Sequence, residues 1–151
     1  VLVGSHGEIQ QARRVRKLFG GALRQAGMVA AAADYALTHH IDRLAEDHAN
    51  ARLFAKGLAQ VEGIVIDADE VETNLVFFEV EPELGTAGQL SGRLREQGVL
   101  INATGPQRLR ACTHLDVNRE GVLRAVQAIQ QAVASDLRSA ATVAAGPYAR
   151  T

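Results

Sequence analysis

Arg13-Arg14-Val15-Arg16-Lys17-Leu18-Phe19-Gly20-Gly21-Ala22-Leu23-Arg24-Gln25-Ala26-Gly27 is the stretch around which the chain is organised. A cationic run leads into a glycine pair, and a lone arginine, Arg24, then opens a long alanine-rich helical pattern. Paired glycines let the backbone turn sharply and approach a ligand closely. The free N–H groups at the start of a helix suit an anion. The expectation is a turn that forms one wall of an anion-holding site, a long connecting helix, and a small domain that supplies a second wall.

On the N-terminal side, Ser5 and Glu8 have the spacing of a capping box. Ile9, Ala12, Val15 and Phe19 then give a loose apolar face, with Arg13, Arg14, Arg16 and Lys17 mostly off it. Gly20-Gly21 ends that helix. Val1-Leu2-Val3-Gly4 reads as a strand already under way, and a lone strand needs partners. The expectation is the C-terminal portion of something longer, or a domain cut from it.

On the C-terminal side a helical pattern runs from Arg24 to about Val61 and closes at Gly63. Such length suggests a strut between two bodies. Its first half is nearly free of charge and should be buried on most sides. Its second half, Asp42 to Lys56, is amphipathic and should lie on a surface. Next come a short apolar run at Ile64-Val65-Ile66 and a strand from Asn74 to Val80. Thr86 caps a helix to Gln97 with Leu90 and Leu94 inward, and Gly98 stops it. Val99 to Asn102 is a strand, and Arg108 to Thr113 alternates polar with apolar. Asn118 caps a last helix to about Val133, with Val122, Val126, Ile129 and Val133 inward. From Ser135 to Thr151 the chain is Ala/Ser-rich, and a frayed, disordered tail is expected. The order β-β-α-β-β-α makes the fold class α/β, a small sandwich with helices on one face.

Composition removes several classes of function. The chain has 151 residues, enough for one ordinary core, and its 47% hydrophobic and 22% charged content is that of a globular protein. A net charge of -1 gives no global field to collect nucleic acid or an anionic membrane. Aromatic content of 4%, with no Trp, leaves no base-stacking surface. The longest apolar stretch, Met28 to Ala33, is too short to span a bilayer. Cys112 is the single cysteine, so no disulfide framework can form within one chain, and a reducing, cytoplasmic compartment is expected.

Each candidate residue has a functional and an ordinary reading. Arg24 is an anion contact for phosphate or carboxylate, or a surface arginine near a helix end. Arg110 shares a strand face with Arg108 and Cys112. Its planar fork can pair a carboxylate in two parallel bonds, or it is an exposed strand arginine. His114 and Asp116 are an acid/base or metal pair, or the hydrogen-bonded exit from a strand. His39, His40 and His48 lack cysteines or a tight carboxylate cluster beside them, so no metal site is assigned. The Arg13–Lys17 run is a phosphate contact or a solvated basic face. Lys17 and Lys56 are the only lysines, and neither lies where burial would depress its pKa for Schiff-base work.

Leu2-Val3-Gly4-Ser5, Arg14 to Gly27, and Arg110-Ala111-Cys112-Thr113-His114-Leu115-Asp116-Val117 resemble the low-specificity L-threonine aldolases. These belong to the β-eliminating lyase group of fold type I pyridoxal-phosphate enzymes. The resemblance runs from Val1 to about Val133. It implies cleavage of β-hydroxy-α-amino acids such as threonine to glycine and an aldehyde, with pyridoxal phosphate as cofactor. It implies a homo-oligomer, a dimer of dimers with sites at subunit interfaces, and no nucleic-acid or membrane partner. By the same resemblance Arg110 holds the substrate carboxylate, and Lys17 and Arg24 line the site near the cofactor. The Schiff-base lysine, and the groups that meet the pyridine ring, would lie upstream of Val1. Residues 1–23 would be the end of the large domain, 24–62 the connecting helix, 63–134 the small domain and 135–151 the tail. A non-catalytic interaction module with this fold, or another lyase of the same cofactor group, remains open on this reading.

Overall fold

Ser5 and Glu8 start a helix, as their spacing predicts. In the computed structural model, which describes residues 1–135, α1 runs His6–Leu18. The Ser5 N–H and hydroxyl each donate to Glu8 Oε2 at 2.7 Å, and the Glu8 N–H returns a bond to Ser5 Oγ. The far end is closed by Gly20, whose φ of +75° only glycine adopts without strain. Its N–H reaches Lys17 O at 3.2 Å and the Gly21 N–H reaches Arg16 O at 2.8 Å, the paired bonds that satisfy the last carbonyls of a helix.

Val1 to Gly4 is not a strand. Val1, Leu2 and Val3 are 94%, 71% and 85% exposed, and no neighbouring strand offers them a ladder. The stretch expected as one helix over 24–62 is two helices, α2 (Gly27–His39) and α3 (Leu44–Leu58), parted by a turn at residues 40–43. Thr38, His39, His40, Ile41 and Asp42 are consecutive poor helix formers, and the apolar periodicity carried across them hides the break. The division between two compact units falls at the end of this turn: one is Val1–Arg43 and the other begins at Leu44. α2, expected to be buried on most sides, has no buried residue; Met28 is 82% and Val29 66% exposed.

The second unit follows the expected order. After α3 come β1 (Ile64–Val65), β2 (Leu75–Val80), α4 (Ala87–Glu96), β3 (Asn102–Ala103), β4 (Arg108–Cys112) and α5 (Arg119–Ala134). The strands form one antiparallel sheet in the order β1-β2-β4-β3. The starts of α4 and α5 carry the side chains their sequence offers. Thr86 and Gln89 make a capping box on α4, and Asn118 Oδ1 accepts the Gly121 N–H at 2.9 Å on α5. β3 is shorter and later than the sequence suggests: Val99 and Ile101 are buried, but as irregular chain after Gly98. The tail expected from residue 135 lies, beyond Ser135 itself, outside the described residues.

Alternation places the core. On β2, Val76, Phe78 and Val80 point inward, and on β4 Leu109 does so. α3 and α4 cover this face with Phe54, Leu58, Leu90 and Leu94, and α5 packs on both helices through Val122, Val126 and Ile129. Phe54 meets Phe78 edge-on at 6.1 Å between ring centroids. No helix among the described residues is long and apolar enough to cross a membrane.

Leu109→Ala removes a fully buried side chain from the central pair of strands and is expected to destabilise the second unit by about 2–5 kcal/mol in urea unfolding. Leu100→Ala, at a side chain 76% exposed, is expected to stay within about 0.5 kcal/mol. The Ser5 bonds hold the Glu8 carboxyl below the usual glutamate value. The folded pKa lies below the unfolded one, so the contribution of the cap is whole above the unfolded value and disappears as pH falls through the folded one. Cα chemical shifts of residues 6–10 are therefore expected to lose helical character on acidification, and Glu8→Gln to remove that pH dependence.

Candidate functional site

β4 builds the site. With Leu109 and Ala111 turned to the helices, Arg108, Arg110 and Cys112 face the other way, onto the sheet surface that α3, α4 and α5 leave uncovered. The register sets Phe77 across from Arg110 on β2, and Asn102 across from it on β3. Leu75, Phe77 and Val65 make this surface partly apolar, at 43%, 41% and 54% exposed. Arg108 lays its guanidinium over the Phe77 ring, 4.8 Å from the centroid. Arg110 is half-buried and forms no ion pair among the described residues. A half-buried guanidinium without a carboxylate keeps its five donors available to an external anion.

The segment after β4 is fastened from within. Thr113, the next inward position of the alternation, is buried and donates its hydroxyl to Asp47 O on α3 at 2.7 Å. Asn50, one turn along α3, donates to Val117 O at 3.1 Å. Asn74 accepts the Thr113 N–H at its own carbonyl, at 2.9 Å, and donates its side-chain amide to Thr113 O at 3.0 Å and to Cys112 Sγ at 3.4 Å. A buried polar group without such partners is costly, so these bonds select one position for the strand end. Asp47, Asn50, Asn74 and Thr113 were not singled out from sequence. The available signal was Asn50 beside Ala51 and Phe54, a polar residue on the apolar stripe of α3.

His114 and Asp116 make the strand exit that their spacing allows. The Asp116 N–H reaches His114 Nδ1 at 3.3 Å, so that nitrogen serves as an acceptor, and the Asp116 carboxylate lies 3.6 Å away. Both side chains are exposed. The rings of His39 and His40 pack on Tyr35, with centroids at 4.3 and 5.5 Å. No group of three or more His, Cys, Asp or Glu that could hold a metal occurs among the described residues.

Lys17 and Arg24 belong to the first unit and Arg110 to the second. Lys17 lies in the last turn of α1 and Arg24 in the turn before α2, one on each side of Gly20-Gly21. Both are exposed and neither forms an ion pair among the described residues. A separate cleft of about 440 Å³ opens between the end of β4, the Gly98–Ile101 segment and the first turns of α5. Phe54, Val99 and Val122 line it, with Asp116, Glu120 and Arg124, while Arg110 does not.

Comparison with known proteins adds lineage to this geometry. A family model described as beta-eliminating lyase matches residues 1–82. The low-specificity L-threonine aldolase 1 of Arabidopsis thaliana is 37% identical over 134 residues, covering 88% of this chain and 37% of that relative. The low specificity L-threonine aldolase of Escherichia coli (strain K12) is 42% identical over 120 residues, covering 80% of this chain and 34% of that relative. The chain thus spans little more than a third of the length of these curated relatives. Among solved structures, that of MppP soaked with the product 2-ketoarginine is alike in fold, with a TM-score of 0.53 at 18% identity over 68% of this chain and 31% of that one.

Asn50→Ala leaves Val117 O without its buried donor and is expected to cost about 1–3 kcal/mol in urea unfolding. Lys56→Ala, on the exposed side of the same helix, is expected to fall within about 0.5 kcal/mol of the parent.

Proposed function

Since this chain belongs to the beta-eliminating lyase family, we propose that it is the C-terminal portion of a pyridoxal-phosphate aldolase that cleaves threonine and related β-hydroxy-α-amino acids to glycine and an aldehyde. One observation carries the reading. Arg110 stands half-buried, with no ion pair among the described residues, on the sheet face opposite α3, α4 and α5, and it opens the Arg110–Val117 segment that resembles the aldolases. Similarity to two low-specificity threonine aldolases across 80–88% of the chain supports it.

In this proposal Arg110 grips the substrate α-carboxylate with two parallel N–H···O bonds. Two bonds fix the plane of the carboxylate as well as its position, and so fix how the Cα–Cβ bond is presented. Thr113, Asn50 and Asn74 hold the strand end on which that grip depends. By the same family resemblance, Lys17 and Arg24 line the cofactor. When bound, pyridoxal phosphate supplies the electron sink for breaking the bond to the aldehyde carbon. The residues of this chain do not make the whole of that cofactor site: Lys17 and Lys56 are both exposed, and neither sits in the enclosed pocket that a covalent anchor needs. The anchor lysine accordingly belongs to a preceding segment. Residues 1–23 then close the large domain, 24–62 connect, and 63–134 form the small domain of a cytoplasmic dimer of dimers in threonine and glycine metabolism. The exposure of both lysines is also what a non-catalytic module would show, and release of glycine from threonine separates that reading from the enzyme.

Arg110→Ala in the full-length enzyme is expected to lower kcat/KM for threonine roughly a hundredfold or more, mostly through KM. Two charge-assisted hydrogen bonds at about 1.5–3 kcal/mol each set that size. Steady-state glycine release measures it, and an unchanged kcat/KM would remove Arg110 from the role.

A further inference from the structure

We propose that Phe77 and Arg108 are positioning residues for Arg110: the ring of Phe77, capped by the Arg108 guanidinium, stands between Arg110 and Glu79 and keeps the Arg110 fork open to a carboxylate ligand. The proposal rests on the reading of Arg110 as a carboxylate contact and extends it to how that contact is kept available.

The register decides who can meet whom. The Val80 N–H donates to Gln107 O at 3.0 Å and the Thr113 N–H to Asn74 O at 2.9 Å, so residues 80/107 and 74/113 are hydrogen-bonded pairs. Counting between them, Glu79/Arg108, Phe77/Arg110 and Leu75/Cys112 are the non-hydrogen-bonded pairs, the kind in which side chains on one face approach most closely. Glu79 is the only carboxylate among the outward residues of the four strands. It faces Arg108 directly and Arg110 diagonally, a separation a long arginine can cross.

Arg108 does not take that carboxylate. No ion pair joins it to Glu79, and its guanidinium lies 4.8 Å from the centroid of Phe77 instead. A planar guanidinium suits the face of a ring better than an ammonium does. The Phe77–Arg108 stack thereby lies across the diagonal that joins Glu79 to Arg110. Arg110 keeps an apolar wall across from it and pairs with no anion among the described residues. Without the ring, Arg110 and Glu79 can close on each other, and an external carboxylate must compete with a resident one.

The test uses this 151-residue chain, nitrogen-15 spectra of the arginine Nε–Hε groups, and sodium acetate as the probe. Phe77→Leu keeps an apolar side chain and removes the ring; at 41% exposure the position lies outside the core. The Arg108 Nε–Hε signal is expected to lose its ring-current shift. The Arg110 response to acetate is expected to weaken about threefold, the size of a lost exposed cation–π contact. Phe77→Leu combined with Glu79→Gln is expected to restore it. Arg108→Gln, which leaves the ring in place but uncapped, is expected to change the Arg110 Nε–Hε heteronuclear NOE and acetate response in the same direction as Phe77→Leu. Unchanged Leu109 and Val76 methyl signals verify the fold of each variant. An Arg110 NOE and acetate response that neither variant alters would overturn the positioning role. So would a loss in Phe77→Leu that Glu79→Gln fails to reverse. An unaltered Arg110 in the parent that answers acetate no more than exposed Arg52 would instead sink the carboxylate-contact reading, while the NOE arm still decides the positioning role.

Discussion

The strict alternation of β4 is the constraint on which the second unit depends. Five residues in the centre of the sheet must bury Leu109 completely and turn Arg108 and Arg110 to the opposite side. A slip of one residue would exchange the two sets, burying two guanidinium groups and exposing the leucine. The cost of burying those charges unpaired makes the register unambiguous. The same pairing that completes the core therefore delivers to the opposite face an arginine with no ion pair among the described residues.

Fastening of the strand end is a second layer of the same design. Beyond Cys112 the ladder to β3 has stopped, since that register ends at Asn102 opposite Arg110. Side-chain bonds take over: Thr113 to Asp47, Asn50 to Val117, and Asn74 to Thr113. Thr113 and Asn50 are buried and Asn74 is partly so, and together they tie the exit from β4 to α3 and to the residue before β2. A carboxylate grip needs a guanidinium held in one place, and a rigid strand with a pinned end supplies that better than a loop does.

The first unit has a different physical character. α1 is locally complete, with a capping box at one end and a glycine-closed turn at the other. α2 carries Met28, Val29, Tyr35 and Leu37 on a helix with one acid and no buried residue. Its helicity rests on alanine propensity, and its apolar surface is a free-energy cost in water. Lys17 and Arg24 flank the turn between these helices, where no side chain of their own unit neutralises them.

What depends on near neighbours was legible in the sequence. The starts at Ser5, Thr86 and Asn118, the stops at Gly20 and Gly98, the order of strands and helices, and the two faces of β4 follow from bonds and periodicities spanning a few residues. Tertiary structure decided what depends on distant ones. Val1 to Val3 has the composition of a strand but no strand beside it, so it stays irregular and exposed. The apolar rhythm from Arg24 to Val61 does not report that a run of poor helix formers is enough to part α2 from α3. Asn50 and Thr113 look like surface polar residues until each finds a carbonyl 66 or 67 positions away in the chain. Arg110 could be chosen as a candidate from its own strand. Its apolar wall, its missing carboxylate and the ring beside it come from the register of β2 against β4, because only pairing between strands sets side chains from separate parts of the chain on one face.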